Sequence, residues 1–410
     1  MVPPDSSDLR QAALDEPGFL VAMTDLAGAL AVAQTEAEIS AVLLDAVPAA
    51  LGADLIVLGT LEEGRARFAR SGGPADGVAD RARSAEALLA ACLERPEHTS
   101  DAFSVSSPDG SGTIVTAPAF GPDGDVLGAV AVQWAVSSDL DATTRARLAM
   151  VARFAGAALG RARRTGAHRE VVHQIQRELL PSPRSTDDLA VTTLYLPATV
   201  DLGFGGDWYD LITLDPDRHV ALVGDVVGHG TGAAARMTQV RGALAALVHR
   251  DVDLPELVAR ATEVLQRMTS ERDYIATAAL VMLEPRRERV TAITAGHPPP
   301  LVRLPDGEVC TLDGARSTPL GFRCSVPDAQ VASFPPGSTL LAYTDGLVER
   351  RDEPITVGIE RLHCALAGQE PLARGHELDE LVALVLPGSA QRRDDVAVLA
   401  VHHRDPSRGQ

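Results

Sequence analysis

The chain has 410 residues, of which 45% are hydrophobic, and its formal net charge is −19. This length accommodates about two or three domains with ordinary cores, and the acidic charge excludes nucleic acid and anionic membrane surfaces as partners, because phosphate groups bind Lys and Arg. The sequence contains no lysine and no asparagine, which argues against P-loop NTPases, Schiff-base enzymes and protein kinases, since each needs one of these residues.

The first residues predict neither export nor membrane anchoring. They lack the basic and apolar regions of a signal peptide, and no apolar run in the chain reaches the roughly 18 residues of a spanning helix. The four cysteines are scattered without a CxxC pair, a pattern typical of reduced thiols. We therefore expect a cytoplasmic protein that begins with a disordered segment, residues 1–17, and has no membrane partner.

Residues 18–165 carry the pattern of a small α/β module. Its predicted elements are a helical stretch over Phe19–Leu51, strands over Asp54–Thr60, Gly112–Phe120 and Val126–Ala135, and a long helix that begins near Asp141. The segments Ala117–Gly121, Leu127–Val132 and Leu148–Leu159 resemble those of a GAF domain, a sensor module. The resemblance implies a small-molecule ligand or a role in dimerisation only. Cys92 and His98 are the soft metal-ligand candidates here, although core or surface positions are the more ordinary interpretation.

Residues 141–180 predict a helical linker that overlaps the end of this module, as one helix or as two interrupted at Thr165–Gly166. Apolar residues recur at helical spacing, and they are Leu148, Val151, Ala155, Ala158, Ala162, Val172, Ile175 and Leu179. A parallel coiled coil that joins two subunits into a homodimer fits this spacing. Packing of the helix onto the chain's own domains fits equally well, so the alternatives stay open.

Short strands dominate residues 185–403, and a short tail, residues 404–410, follows. The predicted strands are Val191–Leu196, Trp208–Leu214, His219–Val226, Thr277–Leu283, Val290–Ala295, Leu301–Leu304, Thr339–Tyr343 and Val396–Val401. The predicted helices are Gly232–His249, Leu254–Met268 and a weaker one after Leu378. Many antiparallel strands with segregated helices predict an α+β sandwich.

Two acidic motifs flank a predicted hairpin. The stretch Leu214–Arg218 has strong turn chemistry, and a hairpin centred near Pro216 places Asp207 opposite Asp225. Directly opposed carboxylates repel one another, and a divalent cation between them is the obvious compensation. The alternative is another register in which both side chains are solvated.

Two further aspartates stand at the ends of predicted strands, as Asp207 and Asp225 do. Asp345 follows the strand Thr339–Tyr343, and Asp394 precedes the strand at Val396. If the four carboxylates converge, the site is all oxygen, which selects manganese or magnesium over zinc. Taken singly, each aspartate is more often an ordinary turn residue.

Two histidines stand in glycine-containing turns. Gly228–Gly230, which contains His229, opens a predicted helix, where backbone can approach an anion closely, and a plain turn is the alternative. His297 lies between two predicted strands and is either a proton donor or part of a rigid turn.

Six ordered motifs in residues 170–402 resemble the SpoIIE-like branch of the metal-dependent PPM protein phosphatases. They are Ile175–Pro181, Gly205–Asp210, Gly224–Gly230, Ala295–Pro298, Tyr343–Gly346 and Arg393–Val398. The resemblance implies a serine/threonine phosphatase that uses two manganese or magnesium ions and a water nucleophile.

The resemblance also implies a role for each acidic residue. Asp225 would bridge the two ions, Asp207 and the carbonyl of Val226 would hold one, and Asp345 and Asp394 would hold the other. Asp207 and Asp225 would be the catalytic pair. Asp395, adjacent to Asp394, is the alternative ligand.

The family also implies a substrate and leaves rival functions to consider. The substrate would be phosphoserine or phosphothreonine on an anti-sigma-factor antagonist. Residues 199–204 lack the phosphate-binding arginine of many eukaryotic-type relatives, so phosphate binding would rest mainly on the metals. The rival hypotheses are a non-catalytic, ligand-sensing docking regulator and a phosphodiesterase for small nucleotides.

Overall fold

The computed structural model describes residues 17–62, 65–71, 78–94, 103–106, 113–134, 142–198, 205–268, 275–322, 328–369, 372–386, 392 and 394–405. The chain divides into two compact units, Met1–His168 and Arg169–Gln410. The predictions made for residues 1–16, for His98, for residues 199–204 and for the last five residues of the tail lie outside the described residues. No helix in the described part of the chain combines the length and the hydropathy of a membrane span.

The first unit is built around an antiparallel sheet of five strands in the order β2-β1-β5-β4-β3. Its elements are α1 (Pro17–Val32), α2 (Glu36–Leu51), β1 (Leu55–Glu62), β2 (Arg65–Arg70), α3 (Val78–Glu94), β3 (Phe103–Ser106), β4 (Thr113–Phe120), β5 (Val126–Trp134) and the first part of α4 (Ala142–Leu179). Helices α1, α2 and α4 cover one face of the sheet, and α3 covers the other, where Cys92 is buried in the core. The sequence patterns did not predict β2, α3 and β3.

Helix α2 shows how local sequence fixes an element of this unit. The hydroxyl of Thr35 accepts a hydrogen bond from the amide of Glu38, and the Glu38 carboxylate accepts one from the amide of Thr35. This reciprocal cap satisfies two amides that have no partner within the helix. Three residues at helical spacing, Ile39, Leu43 and Val47, then face the core.

Helix α4 is a single α-helix that continues through Thr165 and Gly166. The five apolar residues with regular spacing in its first part are all buried in the core of the first unit, namely Leu148, Val151, Ala155, Ala158 and Ala162. This part of the helix therefore packs onto its own unit, which is one of the two predicted alternatives. Further along, Val171 and Ile175 are exposed.

The second unit is a sandwich of two sheets. Its strands are β6 (Leu189–Leu196), β7 (Trp208–Asp215), β8 (Arg218–Val226), β9 (Ala276–Glu284), β10 (Arg289–Ala295), β11 (Leu301–Arg303), β12 (Val309–Thr311), β13 (Arg316–Ser317), β14 (Gln330–Ser333), β15 (Thr339–Tyr343) and β16 (Val396–His403). Its helices are α5 (Thr231–Leu247), α6 (Leu254–Met268), α7 (Ile355–Ala367) and α8 (Gly375–Val385), with 3-10 turns at Pro285–Arg287 and Asp345–Leu347. One sheet has the order β13-β10-β9-β8-β7 with β14 also paired to β10, and the other has the order β12-β11-β15-β16-β6.

Strand β16 shows how the layers are stacked. Its side chains alternate in direction, so that Ala397, Leu399 and Val401 face a core that also contains the buried residues of β8 and β9 in the first sheet. The intervening residues face a second core, which is formed with α7 and α8. The predicted α+β class is confirmed, and the predicted strands are all present, with ends that differ by up to two residues. Helix α7 was missed.

Candidate active site

The hairpin of β7 and β8 has the predicted register. Trp208 pairs with Gly224 and Thr213 with His219, and the pairing shifts only at the turn. Two positions beyond the last pair of the ladder, the amide of Val226 donates to the carbonyl of Gly206 at 3.2 Å. Asp207 and Asp225 therefore stand opposite each other at the end of the hairpin, as the turn chemistry predicted.

Gly206 allows the two strand ends to approach closely. A Cβ atom at this position would lie 2.3 Å from the carbonyl oxygen of Val226 and 2.8 Å from Oδ1 of Asp225. Any side chain would therefore push these oxygens away from Asp207. The glycine in the motif is required by packing rather than by a turn.

The other two aspartates lie where β15 and β16 meet. Asp345 begins the 3-10 turn after β15, and Asp394 lies two residues before β16. The amide of Thr344 donates to the carbonyl of Ala397 at 3.0 Å, and the amide of Ala397 donates to the Thr344 hydroxyl at 2.8 Å. This reciprocal pair fixes Asp345 beside the start of β16.

The carboxylates influence one another electrostatically. Burial, followed by the charges of Asp225 and Asp395, raises the pKa of Asp207 well above its ordinary value. Burial also raises the pKa of Asp225 to about 6. Burial, followed by the charges of Asp225 and Asp394, raises the pKa of Asp345 to about 7. Two strands from each sheet thus bring mutually repelling acids to one edge of the sandwich.

Several buried oxygens of this cluster lack a well-aligned hydrogen bond. Neither carboxylate oxygen of Asp207 has a well-aligned hydrogen bond among the described residues, and the same is true of Oδ1 of Asp345. Buried polar atoms normally find partners, and a hard cation satisfies such oxygens while removing their repulsion. Within the described part of the chain, no three or more Asp, Glu, His or Cys side chains lie close enough together to coordinate one metal ion. The donor chemistry thus fits a divalent cation, although the side chains are spread more widely than the ligands of a bound ion.

The neighbours Asp394 and Asp395 have different surroundings. Asp394 is exposed and acts on the pKa values of Asp225 and Asp345. Asp395 is buried, and its Oδ1 accepts a hydrogen bond from the amide of Ala198 at 2.9 Å. Asp394 is therefore the better candidate for a metal ligand, whereas the carboxylate of Asp395 is engaged by the segment that follows β6.

His297 has a structural role. Its Nε2 donates to the carbonyl of Tyr343 at 3.0 Å, and its Nδ1 accepts from the hydroxyl of Thr277 at 2.8 Å. Burial lowers the pKa of His297 to about 4, so the ring is neutral and both nitrogens are occupied. It joins β9 of one sheet to β15 of the other, which supports the interpretation as part of a rigid turn.

Two residues of the hairpin motifs lie apart from the acidic cluster. Asp210, the last residue of Gly205–Asp210, pairs with Arg241 of α5 at 3.2 Å. His229 is exposed at the start of α5. Trp208 and Tyr209 are buried strand residues, as expected for packing side chains rather than for a base-stacking surface.

Two further residues, Thr344 and Tyr195, also reach the cluster and were not predicted as site residues. The Thr344 hydroxyl lowers the pKa of Asp207 against the effect of burial, and Tyr195 of β6 forms a hydrogen bond with Asp395. Tyr195 lies in a strand whose sequence has the ordinary mixture of apolar and polar residues. No local signal distinguishes it from a packing residue.

Comparison with known proteins finds a family model that matches most of the second unit. Residues 215–404, less than half of the chain, match the family model described as Stage II sporulation protein E (SpoIIE). The chain is also 28% identical over 189 residues to the phosphoserine phosphatase RsbP of Bacillus subtilis (strain 168). This match covers 44% of the chain and 45% of RsbP, so the chain spans less than half the length of that curated relative.

Solved structures with a similar backbone include two bacterial proteins. The RsbU and RsbW domains of Rv1364c from Mycobacterium tuberculosis share 31% identity, with 53% of this chain and 62% of that chain covered and a TM-score of 0.47. The SiaA-PP2C domain of Pseudomonas aeruginosa shares 22% identity, with 59% and 98% covered and a TM-score of 0.48. These TM-scores are too low to support an argument on their own. Residues 215–404, together with the ordered motifs, are thus similar to the SpoIIE family.

Proposed function

We propose that this protein is a metal-dependent protein serine/threonine phosphatase. The observation that carries the proposal is the position of Asp207, Asp225, Asp345 and Asp394 at one edge of the sandwich. Repulsion among these charges contributes to the raised pKa values of Asp207, Asp225 and Asp345, and buried oxygens of Asp207 and Asp345 lack a well-aligned hydrogen bond among the described residues. The similarity to RsbP, whose name states phosphoserine phosphatase activity, supports the reaction type.

The proposed cofactor is a pair of manganese or magnesium ions. Asp225 would be shared by both ions, Asp207 and the carbonyl of Val226 would hold one, and Asp345 and Asp394 would hold the other. When bound, the ions would supply positive charge for the phosphate oxygens and lower the pKa of the attacking water. The burial of Asp207 keeps bulk water away from this carboxylate, which strengthens its charge interactions.

The proposed substrate is phosphoserine or phosphothreonine on an anti-sigma-factor antagonist. The support is the name of RsbP, which states phosphoserine phosphatase activity, and the six motifs that resemble the SpoIIE-like branch. Such a substrate places the reaction in the cytoplasm, where transcription is controlled. Residues 199–204 contain no arginine, so this proposal leaves phosphate binding mainly to the metal ions.

We further propose that residues 18–165 form a GAF-like sensor that regulates residues 185–403, with residues 141–180 as the helical linker. The five-stranded antiparallel sheet with helices on both faces supports this domain assignment. A small-molecule ligand would act through this unit. A homodimer through the linker helix remains part of the proposal, because Val171 and Ile175 are exposed at helical spacing.

Asp225 is the residue whose replacement tests the activity. We expect Asp225→Asn to lower manganese-dependent hydrolysis of p-nitrophenyl phosphate and of a phosphoserine protein by at least about 100-fold, since loss of a shared ligand disturbs both ions. Asp207→Asn removes a ligand of one ion only and should cost less. Asp251→Asn, an exposed aspartate outside the cluster, is the matched control.

The rival function predicts a different outcome. A docking regulator that uses the phosphatase fold only as a surface would bind no manganese up to millimolar concentration and would not hydrolyse either substrate. Full activity of purified Asp225→Asn, with a circular dichroism spectrum like that of the wild type, would refute the metal-dependent mechanism.

A further inference from the structure

Gln176 is an unusual residue of the last turns of α4. Its neighbours Ile175 and Arg177 are exposed, whereas Gln176 is only 1% exposed. A buried amide requires hydrogen-bond partners, and Nε2 of Gln176 donates to the hydroxyl of Tyr195. The helix therefore contacts β6 through a polar group rather than only through an apolar side chain.

Tyr195 extends this contact to the acidic cluster. It lies opposite Ala397 in the pairing of β6 with β16, and its side chain forms a hydrogen bond with Asp395. Burial and the charges of Asp395 and Asp207 raise the pKa of Tyr195. The hydroxyl is therefore a proton donor, and it donates to the carboxylate while it accepts from the amide of Gln176.

Asp395 is held from several sides. Its Oδ1 accepts from the amide of Ala198 at 2.9 Å, and its Oδ2 lies so close to Gly205 that a Cβ there would be 1.8 Å away. The amide of Asp395 donates to Oδ1 of Asp394 at 2.9 Å. Asp395 is thus the junction between the segment before β7, the end of β6 and a proposed metal ligand.

We propose that Gln176 and Tyr195 are positioning residues of the metal site, which fix Asp395 and thereby orient Asp394. This inference rests on the proposed function for the identity of the ligands. The chain of donors runs in one direction, from Gln176 to Tyr195 to Asp395, and every link lies within the second unit. It makes the end of α4 part of the support of the site.

The expected size of the effect follows from the general behaviour of groups that support metal ligands. Residues that orient metal ligands without touching the ion change metal affinity by about 10- to 100-fold when they are replaced. A residue with a merely structural role would instead lower the stability of the metal-free protein and leave the affinity of the folded protein unchanged. Metal affinity and metal-free stability are therefore the two readouts that separate these roles.

Tyr195→Phe is the sharpest variant because it removes one hydroxyl and keeps the ring. Titration calorimetry of the full chain with Mn²⁺ should show binding weakened by about tenfold. Activity on p-nitrophenyl phosphate should return to nearly the wild-type kcat at saturating Mn²⁺. Tyr343→Phe is the matched control, since the buried Tyr343 hydroxyl has no hydrogen-bond partner in the described residues, and its Mn²⁺ affinity should stay at the wild-type value.

Gln176→Met tests the first link, because methionine has a similar length but no amide. We expect a smaller loss of Mn²⁺ affinity than for Tyr195→Phe, and Gln174→Met, at an exposed position of the same helix, should have no effect. If the two residues act in one chain, the double variant should bind Mn²⁺ about as weakly as Tyr195→Phe alone. Additive losses would show that Gln176 acts independently and would overturn the proposed chain.

The remaining outcomes distinguish this inference from the proposed function. Wild-type protein that binds Mn²⁺ but hydrolyses no phosphate ester, with weaker binding in Tyr195→Phe, would refute the phosphatase function and keep the positioning role. An active wild type whose Tyr195→Phe variant binds Mn²⁺ with unchanged affinity would refute the positioning role alone. A wild type that binds no Mn²⁺ would refute both.

Discussion

His297 illustrates how a chemistry-bearing residue type is used for structure in this chain. It follows Gly296 in a motif that resembles the SpoIIE-like branch, and a histidine near the proposed metal site suggests proton transfer. The ring is instead buried between Thr277 and Tyr343, and both nitrogens are engaged. The sandwich therefore requires a neutral imidazole at this position. For this reason the stability of the fold should depend on pH.

We predict that His297 lowers the stability of the fold in mild acid. Burial lowers its pKa to about 4, against an ordinary value of about 6.5. The unfolded chain therefore binds more protons between these values, and the free energy of unfolding falls as the pH decreases from 6.5 to 4. At 1.36 kcal/mol per pKa unit, the loss reaches about 3 kcal/mol at pH 4.

Urea unfolding of wild type and His297→Gln at several pH values checks this prediction. Glutamine cannot titrate, so the variant should lose less stability in acid than the wild type does. His376→Gln, at an exposed position of α8, is the control. Parallel pH profiles for wild type and His297→Gln would contradict the assignment of a neutral, buried imidazole.

At the scale of elements, the hairpin of β7 and β8 was predictable because its information is local. Turn residues at Leu214–Arg218 set the centre, and alternation of apolar residues in both strands leaves one register. Counting residues outward from the centre of this turn then places Asp207 opposite Asp225. The placement of Asp345 and Asp394 beside them needed the family resemblance, since strand ends distant in sequence converge only through the order of strands in two sheets.

Other elements were not predictable for physical reasons. Helix α7 begins with Ile355, Thr356 and Val357, which are β-branched residues with weak helix propensity, and it forms because Leu362 and Leu366 pack into the second core. Gln176 lies in the motif Ile175–Pro181 and Tyr195 in an ordinary strand pattern, but neither pattern predicts their hydrogen bond, which arises only from tertiary structure.

The contact between α5 and β7 makes a prediction at this scale. Arg241 pairs with the carboxylate of Asp210, whose pKa is raised by burial and held down in part by Arg241. Arg241→Met should lower the free energy of unfolding by about 1–3 kcal/mol, because it leaves a largely buried carboxylate without a counter-charge. Urea denaturation at neutral pH measures the loss.

A second arginine on a helix is the matched control for this substitution. Arg260 pairs with Glu256 on the exposed side of α6, and Arg260→Met should cost less than about 1 kcal/mol. The double variant Asp210→Asn/Arg241→Met should recover part of the stability lost in Arg241→Met. Equal losses for both arginines would show that the Asp210 pair behaves as a surface ion pair.

At the scale of the whole molecule, the described hydrophobic residues form clusters that each lie within one unit. Two clusters belong to Met1–His168, and two belong to Arg169–Gln410. Units with separate cores can unfold in separate transitions. All proposed metal ligands lie in the second unit, so metal binding should stabilise that unit specifically.

We therefore predict two transitions in differential scanning calorimetry, of which manganese raises only one. At a free metal concentration 100 times the dissociation constant, binding adds about 2.7 kcal/mol to the second unit, which corresponds to a rise of roughly 5–10 °C for a unit of this size. In Asp225→Asn the same addition should leave both transitions in place. If manganese shifted only the transition in which the first unit unfolds, the metal would bind to the first unit, and this result would contradict the proposed ligands. A single transition that shifts as a whole would show that the two units unfold as one, so that the binding energy of the site is shared with the proposed sensor.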